Sequence, residues 1–380
     1  MPENTIPVLH LINAQFYAGA ERVQDLLAGR LPDFGYRIDF ACLKEGEFAV
    51  RRRNTSAALH SFPMKSRFDF AVALAIARLI RKNGYRLLHT HSVRGGLIGG
   101  IAARFAGVPM VYHLHSPADS DTEAAARNIR NALIERFVLR SASRIMCVSS
   151  SLEHYALSRG AKPDCISTIW NGVPLCALLR RARVVGKPLV LGVMALFRPR
   201  KGLEVLLDVL AQLRKLGVDV TLYAAGSFET PAYQEEIARR ADQLGLSGCI
   251  EWAGFVEDIS SALRRMHVFV LPSLYGEGTP MVLLEAMAAG LPLVATRVEG
   301  VPSVVRDHID GVLVRPGNVD ELLRALQDIA SADVDSDALG DSARVRQAER
   351  FSDLEMARGV AEIYDELLDE SRMTVPGLTL

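Results

Sequence analysis

The residues best placed for chemistry are two glutamates that flank a loop rich in glycine and proline. Glu277 and Glu285 are separated by seven residues within the segment LPSLYGEGTPMVLLEAMAAGLPLVATR, residues 271–297. An apolar run ends at Leu271, and a helix is predicted to begin near Pro280, because proline is favoured at the first helical position. The unpaired amides and the positive dipole end of that helix favour an anion such as phosphate. Carboxylates beside it are stabilised by hydroxyl donors, so the pattern predicts a ligand with both phosphates and hydroxyls, as in a nucleotide sugar.

A second group of candidate residues is basic and follows another apolar run, in ALFRPRKGLEVLL. Lys201 and a neighbouring arginine are suited to bind an anion, because fixed cations stabilise negative charge. The sequence leaves open whether that arginine is Arg198 or Arg200. We favour Arg198, since Arg200 directly precedes the predicted helix and can equally face solvent.

Histidines close two of the predicted strands. His113 and His115 are two residues apart in VYHLHSP and therefore face the same side of their strand. His89 and His91 have the same spacing in LLHTHS. No carboxylate or thiolate completes a recognisable metal-binding spacing with them, so the sequence predicts neither a metal site nor another cofactor.

Short apolar strands alternate with helices along the whole chain, which predicts α/β architecture with parallel sheets. The alternation is interrupted near residues 175–187 and restarts at Leu189. We therefore expect two similar doubly wound domains, with ligands at the carboxyl ends of the strands and in the cleft between the domains. The expected divisions are an N-terminal domain 1–178, a C-terminal domain 179–355, a helix 356–372 returning toward the first domain, and a frayed tail 373–380. Within this scheme, residues 343–368 are predicted to form one helix.

Composition excludes several other classes of protein. The 380 residues carry 44 Lys+Arg and 44 Asp+Glu, and 49% are hydrophobic, which argues against disorder and against a general nucleic-acid-binding role. Residues 1–180 hold 23 basic and 14 acidic residues, a charge of +9, whereas residues 181–380 hold 21 and 30, a charge of −9. A basic half suits an anionic membrane surface or an anionic acceptor. We expect a cytoplasmic protein, because the apolar runs are short, no basic segment precedes the first of them, and the cysteines are scattered. If its acceptor is lipid-linked, the protein would be peripheral on the inner face of the membrane.

Residues 273–292 fit the pattern S-x-x-x-E-G-T-P-x-x-x-L-E-A-M-A-x-G-x-P. This pattern resembles that of the family-4 retaining glycosyltransferases, and the resemblance extends over about residues 6–370. It implies the GT-B fold, in which two Rossmann-like doubly wound domains face a central cleft, with domain 1–178 binding the acceptor and domain 179–355 binding the nucleotide-sugar donor. It also implies transfer of a sugar from a nucleotide diphosphate donor to a hydroxyl acceptor, with retention at the anomeric carbon and without a metal ion.

The same resemblance implies a role for individual residues. Glu277 would contact the donor sugar, Glu285 the nucleotide ribose, and Lys201 with an arginine the diphosphate. The implied catalytic residues are His115, Arg198, Lys201 and Glu277. The implied donor-binding residues are Gly19, Gly226, Phe255, Val256, Gly278, Thr279, Pro280 and Glu285. The implied acceptor-side residues are Ser149 and Asn171.

The expected role is assembly of a cell-surface polysaccharide, such as lipopolysaccharide, or of a glycolipid. Its partners would be a nucleotide diphosphate sugar, a glycan or lipid-linked acceptor and an anionic membrane, with no nucleic acid. An alternative is a nucleotide-sugar epimerase on the same fold, and a less favoured one is a nucleotide-binding protein without catalysis. A dinucleotide-dependent dehydrogenase would need G-x-G-x-x-G after a strand, and the glycines of GGLIGG, residues 95–100, do not follow that pattern.

Overall fold

A computed structural model describes residues 5–66, 68–118, 125–176 and 187–373. The chain divides into two compact units, of which unit 1 comprises Met1–Gly172 with Asp353–Leu380 and unit 2 comprises Val173–Ser352. The boundary expected at 178/179 and the residues beyond 373 lie outside the described residues. No helix among those that the structure describes is long and apolar enough to cross a membrane.

Unit 1 is built on a seven-stranded parallel sheet in the order β3-β2-β1-β4-β5-β6-β7. The strands are β1 Ile6–Ile12, β2 Tyr36–Cys42, β3 Leu59–Ser61, β4 Leu87–His91, β5 Met110–Leu114, β6 Arg144–Cys147 and β7 Ile166–Thr168. Their central members are buried on both faces, as expected when helices cover both sides of a parallel sheet, and they carry buried histidines among their apolar residues. The register places His10 opposite His89 and His91 opposite His113, so three adjacent strands bring histidines together.

Seven helices surround this sheet among the described residues. They are α1 Gly19–Arg30, α2 Glu47–Arg51, α3 Phe70–Asn83, α4 Ser92–Ala106, α5 Ala125–Ser141, α6 Ser150–Ser158 and α14 Asp353–Met373. The glycines of residues 95–100 lie inside α4. A Cβ atom at Gly99 would lie 2.3 Å from the Thr90 side chain, so these glycines allow α4 to pack closely on the sheet. This packing explains the glycine run without a dinucleotide.

Unit 2 has a six-stranded parallel sheet in the order β10-β9-β8-β11-β12-β13. The strands are β8 Leu189–Met194, β9 Val220–Ala225, β10 Ile250–Gly254, β11 Val268–Leu271, β12 Leu293–Thr296 and β13 Val312–Val314. The helices are α7 Leu203–Lys215, α8 Pro231–Gln243, α9 Ile259–Leu263, α10 Met281–Ala288, α11 Val301–Val304, α12 Val319–Ala330 and α13 Ser336–Arg350. Leucines and valines of β8, α7 and α12 form its main core.

The structure confirms the predicted α/β class with two parallel-sheet Rossmann-like units, but one predicted helix is wrong. Residues 343–368 belong to two helices, α13 and α14, which are separated at Phe351 and Ser352. Phe351 is buried, and its carbonyl accepts hydrogen bonds from the backbone amide of Val173 and from the side-chain amide of Gln347. These bonds replace the helical pairing at this point, and no glycine or proline marks the break in the sequence.

Candidate active site

The centre of the candidate site in unit 2 is a buried ion pair at the carboxyl ends of two neighbouring strands. Lys201 follows β8, Glu277 follows β11, and the Lys201 ammonium contacts the Glu277 carboxylate. The hydroxyl of Ser273, which is fully buried, donates a 2.5 Å hydrogen bond to the same carboxylate oxygen. The sequence placed Lys201 and Glu277 on separate loops, and the strand order β8-β11 brings them together.

Backbone contacts hold the two loops in register. Gly202 has a left-handed conformation with φ of 66°, and a Cβ atom there would lie 2.0 Å from the Pro272 carbonyl oxygen. The Leu274 amide donates a 2.8 Å hydrogen bond to the Arg200 carbonyl. The glycine after Lys201 is therefore required for the close approach that allows the lysine to reach Glu277.

The ion pair sets the protonation state of Glu277. Burial alone raises the pKa of a carboxyl group, but the Lys201 ammonium and the Ser273 hydroxyl outweigh it and hold the pKa of Glu277 below its ordinary value. Burial lowers the pKa of Lys201, and the Glu277 carboxylate opposes that shift. Glu277 is thus a carboxylate at neutral pH and can accept hydrogen bonds from hydroxyl groups.

A third carboxylate, from Glu299, supports the loop after β11 and was missed by the sequence analysis. Glu299 accepts hydrogen bonds from the backbone amides of Gly276, at 2.9 Å, and Glu277, at 3.1 Å. Ser273 was present in the motif but was given no role. No signal in the sequence points to Glu299, which lies 22 residues beyond Glu277 and follows β12.

The two candidate arginines have different surroundings. The Arg200 guanidinium donates to the backbone carbonyls of Gly276, at 2.7 Å, and Tyr275, at 3.2 Å, so it supports the loop. Arg198 lies 3.4 Å from the Glu229 carboxylate, and its buried Nε has no hydrogen-bond partner among the described residues. Arg198 therefore has hydrogen-bonding capacity left for an anion, which fits the preference expressed from the sequence.

The other residues of the motif directly follow Glu277 along the chain. Thr279, Pro280 and Glu285 are buried, Gly278 is partly buried, and α10 begins directly after Pro280. Glu285 lies in the second turn of α10, as the spacing predicted. The start of α10 and the Glu277 carboxylate thus belong to one continuous segment that can offer amide donors and carboxylate acceptors.

Gly226, Phe255 and Val256 lie at the carboxyl ends of the next two strands, β9 and β10. Gly226 has φ of 135°, and a Cβ atom there would lie 1.7 Å from the Ala195 carbonyl oxygen. Its amide donates a 2.6 Å hydrogen bond to the Gly254 carbonyl. Phe255 exposes part of its ring, and Val256 is partly buried. The loops after β8, β9, β10 and β11 therefore contribute to one edge of the unit 2 sheet.

The predicted residues of unit 1 are spread over the ends of several strands. Gly19 is exposed at the start of α1, after β1. Ser149 is buried, and its hydroxyl accepts a 3.3 Å hydrogen bond from the Leu152 amide, which caps α6. Asn171 is buried after β7. The geometry gives Ser149 a structural role as a helix cap.

His115 belongs to a group of five neighbouring histidines in unit 1. It follows β5 and is partly exposed. The distance between its Nε2 atom and the Nδ1 atom of His91 is 3.1 Å. Burial lowers the pKa of His115 to about 4 and that of His10 to about 3. His115 is therefore a neutral imidazole at pH 7, able to donate one hydrogen bond and accept another.

Two family models match the chain, one almost entirely within unit 1 and one within unit 2. The model described as Glycosyltransferase Family 4 matches residues 17–176, and the model described as Glycosyl transferases group 1 matches residues 187–332.

Similar proteins cover most of the chain at low sequence identity. The UDP-Gal:alpha-D-GlcNAc-diphosphoundecaprenol alpha-1,3-galactosyltransferase of Escherichia coli is 25% identical over 84% of this chain and 87% of its own. The MMP alpha-(1->4)-mannosyltransferase of Mycolicibacterium hassiacum is 29% identical over 81% of this chain and 76% of its own. Among solved structures, Anabaena HepE in complex with UDP superposes with a TM-score of 0.84 at 21% identity, over 95% of this chain and 100% of that one.

Proposed function

Since the chain belongs to glycosyltransferase family 4 and has the GT-B fold, we propose that it moves a sugar from a UDP-sugar to a hydroxyl group of a lipid-linked or glycan acceptor, with retention of anomeric configuration. The observation that carries the proposal is the buried contact between Lys201 and Glu277 beside the start of α10. It combines a cation for a diphosphate with a carboxylate for sugar hydroxyls at the carboxyl ends of parallel strands, where doubly wound sheets bind nucleotides.

The choice of a uridine donor is supported by the similar proteins. HepE is described in complex with UDP and with UDP-glucose, and the E. coli relative is named for UDP-Gal. In this chain we assign the nucleotide to the edge formed by Gly226, Phe255 and Glu285. The exposed part of the Phe255 ring would face the base, and the Glu285 carboxylate would accept hydrogen bonds from the ribose hydroxyls.

The proposed chemistry depends on stabilising the leaving diphosphate. As the bond between the anomeric carbon and the phosphate oxygen breaks, negative charge develops on UDP, and Arg198, Lys201 and the start of α10 stabilise it. The acceptor hydroxyl forms its bond to the anomeric carbon on the same face, and its proton passes to the departing phosphate oxygen. Glu277 holds the sugar hydroxyls, so the reacting carbon is positioned against the acceptor.

In unit 1 we assign acceptor-side roles to Ser149 and Asn171, donor binding to Gly19, and contact with the transferred sugar to His115. As a neutral imidazole, His115 can donate to or accept from a sugar hydroxyl. Because Ser149 caps α6 through its side chain, its contribution would be to place the start of that helix.

We further propose that unit 1 docks on an anionic membrane through the exposed faces of α3 and α4. Phe68 and Phe70 expose 51% and 47% of their surface at the start of α3, and Phe105 exposes 53% at the end of α4. The guanidinium of Arg81, in the last turn of α3, donates to the Phe105 carbonyl and joins the ends of the two helices. Basic side chains are exposed along the same helices, namely Arg78, Arg81, Lys82 and Arg104. Aromatic rings at the headgroup level and lysine or arginine near the surface are typical of peripheral membrane contact.

A donor panel tests the proposed reaction. The full chain is incubated with UDP-, GDP- and ADP-sugars, and nucleoside diphosphate release is measured with and without a polyprenyl-diphosphate sugar as acceptor. We expect UDP to be released from a UDP-sugar, and the acceptor to accelerate that release. We also expect NMR to show the same anomeric configuration in the product as in the donor. A product of inverted configuration would contradict retention. An epimerised free sugar formed from donor alone would favour the epimerase alternative.

Membrane docking is tested by sedimentation with vesicles that contain phosphatidylglycerol. We expect binding at low salt that weakens as salt rises, and weaker binding by Phe68→Ser/Phe70→Ser. The matched control is Phe137→Ser, which changes an exposed phenylalanine on α5. Equal binding by Phe68→Ser/Phe70→Ser and Phe137→Ser, or no binding by the unaltered chain at low salt, would contradict docking through this surface.

A further inference from the structure

Five histidines lie on adjacent strands at the carboxyl edge of the unit 1 sheet, and the proposed reaction uses only one of them. His10 is on β1, His89 and His91 are on β4, and His113 is on β5, with His115 directly after it. The first four are fully buried. Buried polar side chains are normally fully hydrogen-bonded, so a group of buried imidazoles needs a physical explanation.

Three of these histidines are close enough to share one ion. His10, His89 and His91 each have a ring nitrogen within 4.8 Å of the other two. The Nε2 atom of His91 is 3.4 Å from the Nδ1 atom of His10. In a tetrahedral zinc site with Zn–N bonds of about 2.0–2.1 Å, the ligand nitrogens are about 3.3–3.4 Å apart. The observed spacing therefore corresponds to one edge of such a tetrahedron.

The second nitrogen of each of the three rings is already hydrogen-bonded. The hydroxyl of Tyr364, on α14, lies 3.0 Å from His10 Nε2 and 2.5 Å from His89 Nδ1. His91 Nδ1 lies 3.1 Å from His115 Nε2. Metal-binding histidines typically have this arrangement, in which an outer group fixes the ring so that the other nitrogen can bind the metal.

The other ring nitrogens are His10 Nδ1 and His91 Nε2, which share the 3.4 Å hydrogen bond that a metal would replace, and His89 Nε2. His89 Nε2 is buried and has no hydrogen-bond partner among the described residues. Both ring nitrogens of His113, the register neighbour of His91, also lack a partner there. A buried nitrogen without a partner is unfavourable, and coordination of a metal would give His89 Nε2 a partner.

We propose that His10, His89 and His91 bind one divalent transition-metal ion, with Tyr364 and His115 as their outer hydrogen-bond partners. Imidazole ligands suit zinc, copper and nickel, and Zn²⁺ is the ion with which the site is to be tested. The ion would connect β1 and β4 and, through Tyr364, fix α14 to the sheet. The linear sequence hides this site, because His10 and His91 are 81 residues apart and no short spacing joins all three ligands.

The site is tested by measuring zinc in the full chain without an affinity tag. The protein is stripped with a chelator, reloaded with Zn²⁺, dialysed and analysed by plasma mass spectrometry. We expect about one zinc per chain, and a Co²⁺-loaded sample with the visible absorption of a tetrahedral site. A chain that holds no zinc after reloading, or whose cobalt spectrum is octahedral, would overturn the proposal.

Substitutions identify the ligands. We expect His10→Gln and His91→Gln to lose the zinc, while His308→Gln, which changes a histidine that is 73% exposed in unit 2, keeps it. Equal loss or equal retention in His10→Gln and His308→Gln would mean adventitious binding. His91, His113 and His115 form a second possible group, and zinc lost in His113→Gln but kept in His10→Gln would contradict the ligand set proposed here.

Tyr364→Phe removes only the outer hydroxyl and leaves the aromatic ring in place. We expect a 10- to 100-fold weaker zinc affinity, as is usual when an outer partner of a histidine ligand is lost. The affinity is measured by competition with a chromophoric chelator, and circular dichroism verifies that the variant is folded. An unchanged affinity in the folded variant would exclude Tyr364 as an outer partner and contradict this part of the proposal.

Discussion

At the scale of single residues, the ion pair of Lys201 and Glu277 makes the site sensitive to small changes. We predict that Glu277→Gln lowers the free energy of unfolding of unit 2 by about 3 kcal/mol, because it leaves a buried ammonium without its carboxylate. The measurement is urea unfolding followed by fluorescence. The matched control is Glu251→Gln, which breaks a half-exposed pair with Arg265 and should cost about 1 kcal/mol or less. Equal costs in the two variants would contradict the assignment of Glu277 to a buried pair.

Arg198 and Arg200 should differ in what their loss changes. We predict that Arg198→Gln reduces kcat/KM for the donor at least tenfold with little change in stability, since its guanidinium is proposed to bind the diphosphate. Arg200→Gln should reduce thermal stability as well, because Arg200 holds the carbonyls of Tyr275 and Gly276. Steady-state kinetics and calorimetry of both variants separate the roles. A stability loss in Arg198→Gln alone would reverse the assignment.

The sequence identified the residues that carry charge but missed those that act through backbone geometry. Lys201 and Glu277 stand in a recognisable pattern, and the structure brings them into contact. Glu299 supports two amides of the same loop from a distant segment, which no local pattern encodes. Ser149 was predicted to lie on the acceptor side, and its side chain also caps α6 through a local hydrogen bond to the Leu152 amide. The cross-loop hydrogen bonds of Glu299 depend on tertiary positions, so spacing alone does not predict them.

At the scale of elements, the turn after β9 depends on one glycine. We predict that Gly226→Ala lowers both the stability of unit 2 and donor affinity, because its Cβ atom would lie 1.7 Å from the Ala195 carbonyl oxygen and its φ of 135° is strained for alanine. Gly248→Ala is the matched control, since nothing lies within 4 Å of its added Cβ atom. Thermal shift with and without UDP measures both effects. Wild-type behaviour of Gly226→Ala would show that this turn is not constrained.

The order of elements was predictable, whereas several short elements were not. Apolar strands alternating with helices predicted both parallel sheets. The short elements α2, β3 and α11 have three to five residues each, too few for a periodic pattern. The break between α13 and α14 is held by buried Phe351 and by Gln347, whose hydrogen bonds to Val173 are tertiary contacts.

At the scale of the whole molecule, the histidine group should make unit 1 sensitive to acid. Burial lowers the pKa of His10 to about 3 and of His115 to about 4, whereas unfolded histidine has a value of about 6.5. The unfolded chain therefore binds more protons below pH 6.5, and the stability of unit 1 falls as the pH decreases from about 6.5 toward 4. Each such histidine contributes up to about 1.4 kcal/mol per pH unit.

The two tryptophans allow each unit to be followed separately. Trp170 belongs to unit 1 and Trp252 to unit 2. The Trp252→Phe variant retains only Trp170, so its fluorescence follows the unfolding of unit 1. The Trp170→Phe variant follows the unfolding of unit 2 in the same way. With chelator present, we expect the urea midpoint of unit 1 to decrease between pH 7 and pH 5, and His10→Gln to reduce that decrease. A midpoint of unit 1 that does not change with pH would contradict the buried, neutral state of the histidines.

The central claim is that a UDP-sugar reacts at the site formed by Lys201 and Glu277. The most direct measurement is the rate of UDP release from the preferred UDP-sugar, in the presence of acceptor, by the unaltered chain and by Lys201→Met. Lys215→Met, which changes an exposed lysine at the end of α7, is the control. We predict a loss of about 100-fold or more in Lys201→Met and none in Lys215→Met. Equal rates in all three proteins, or no UDP from any UDP-sugar, would contradict it.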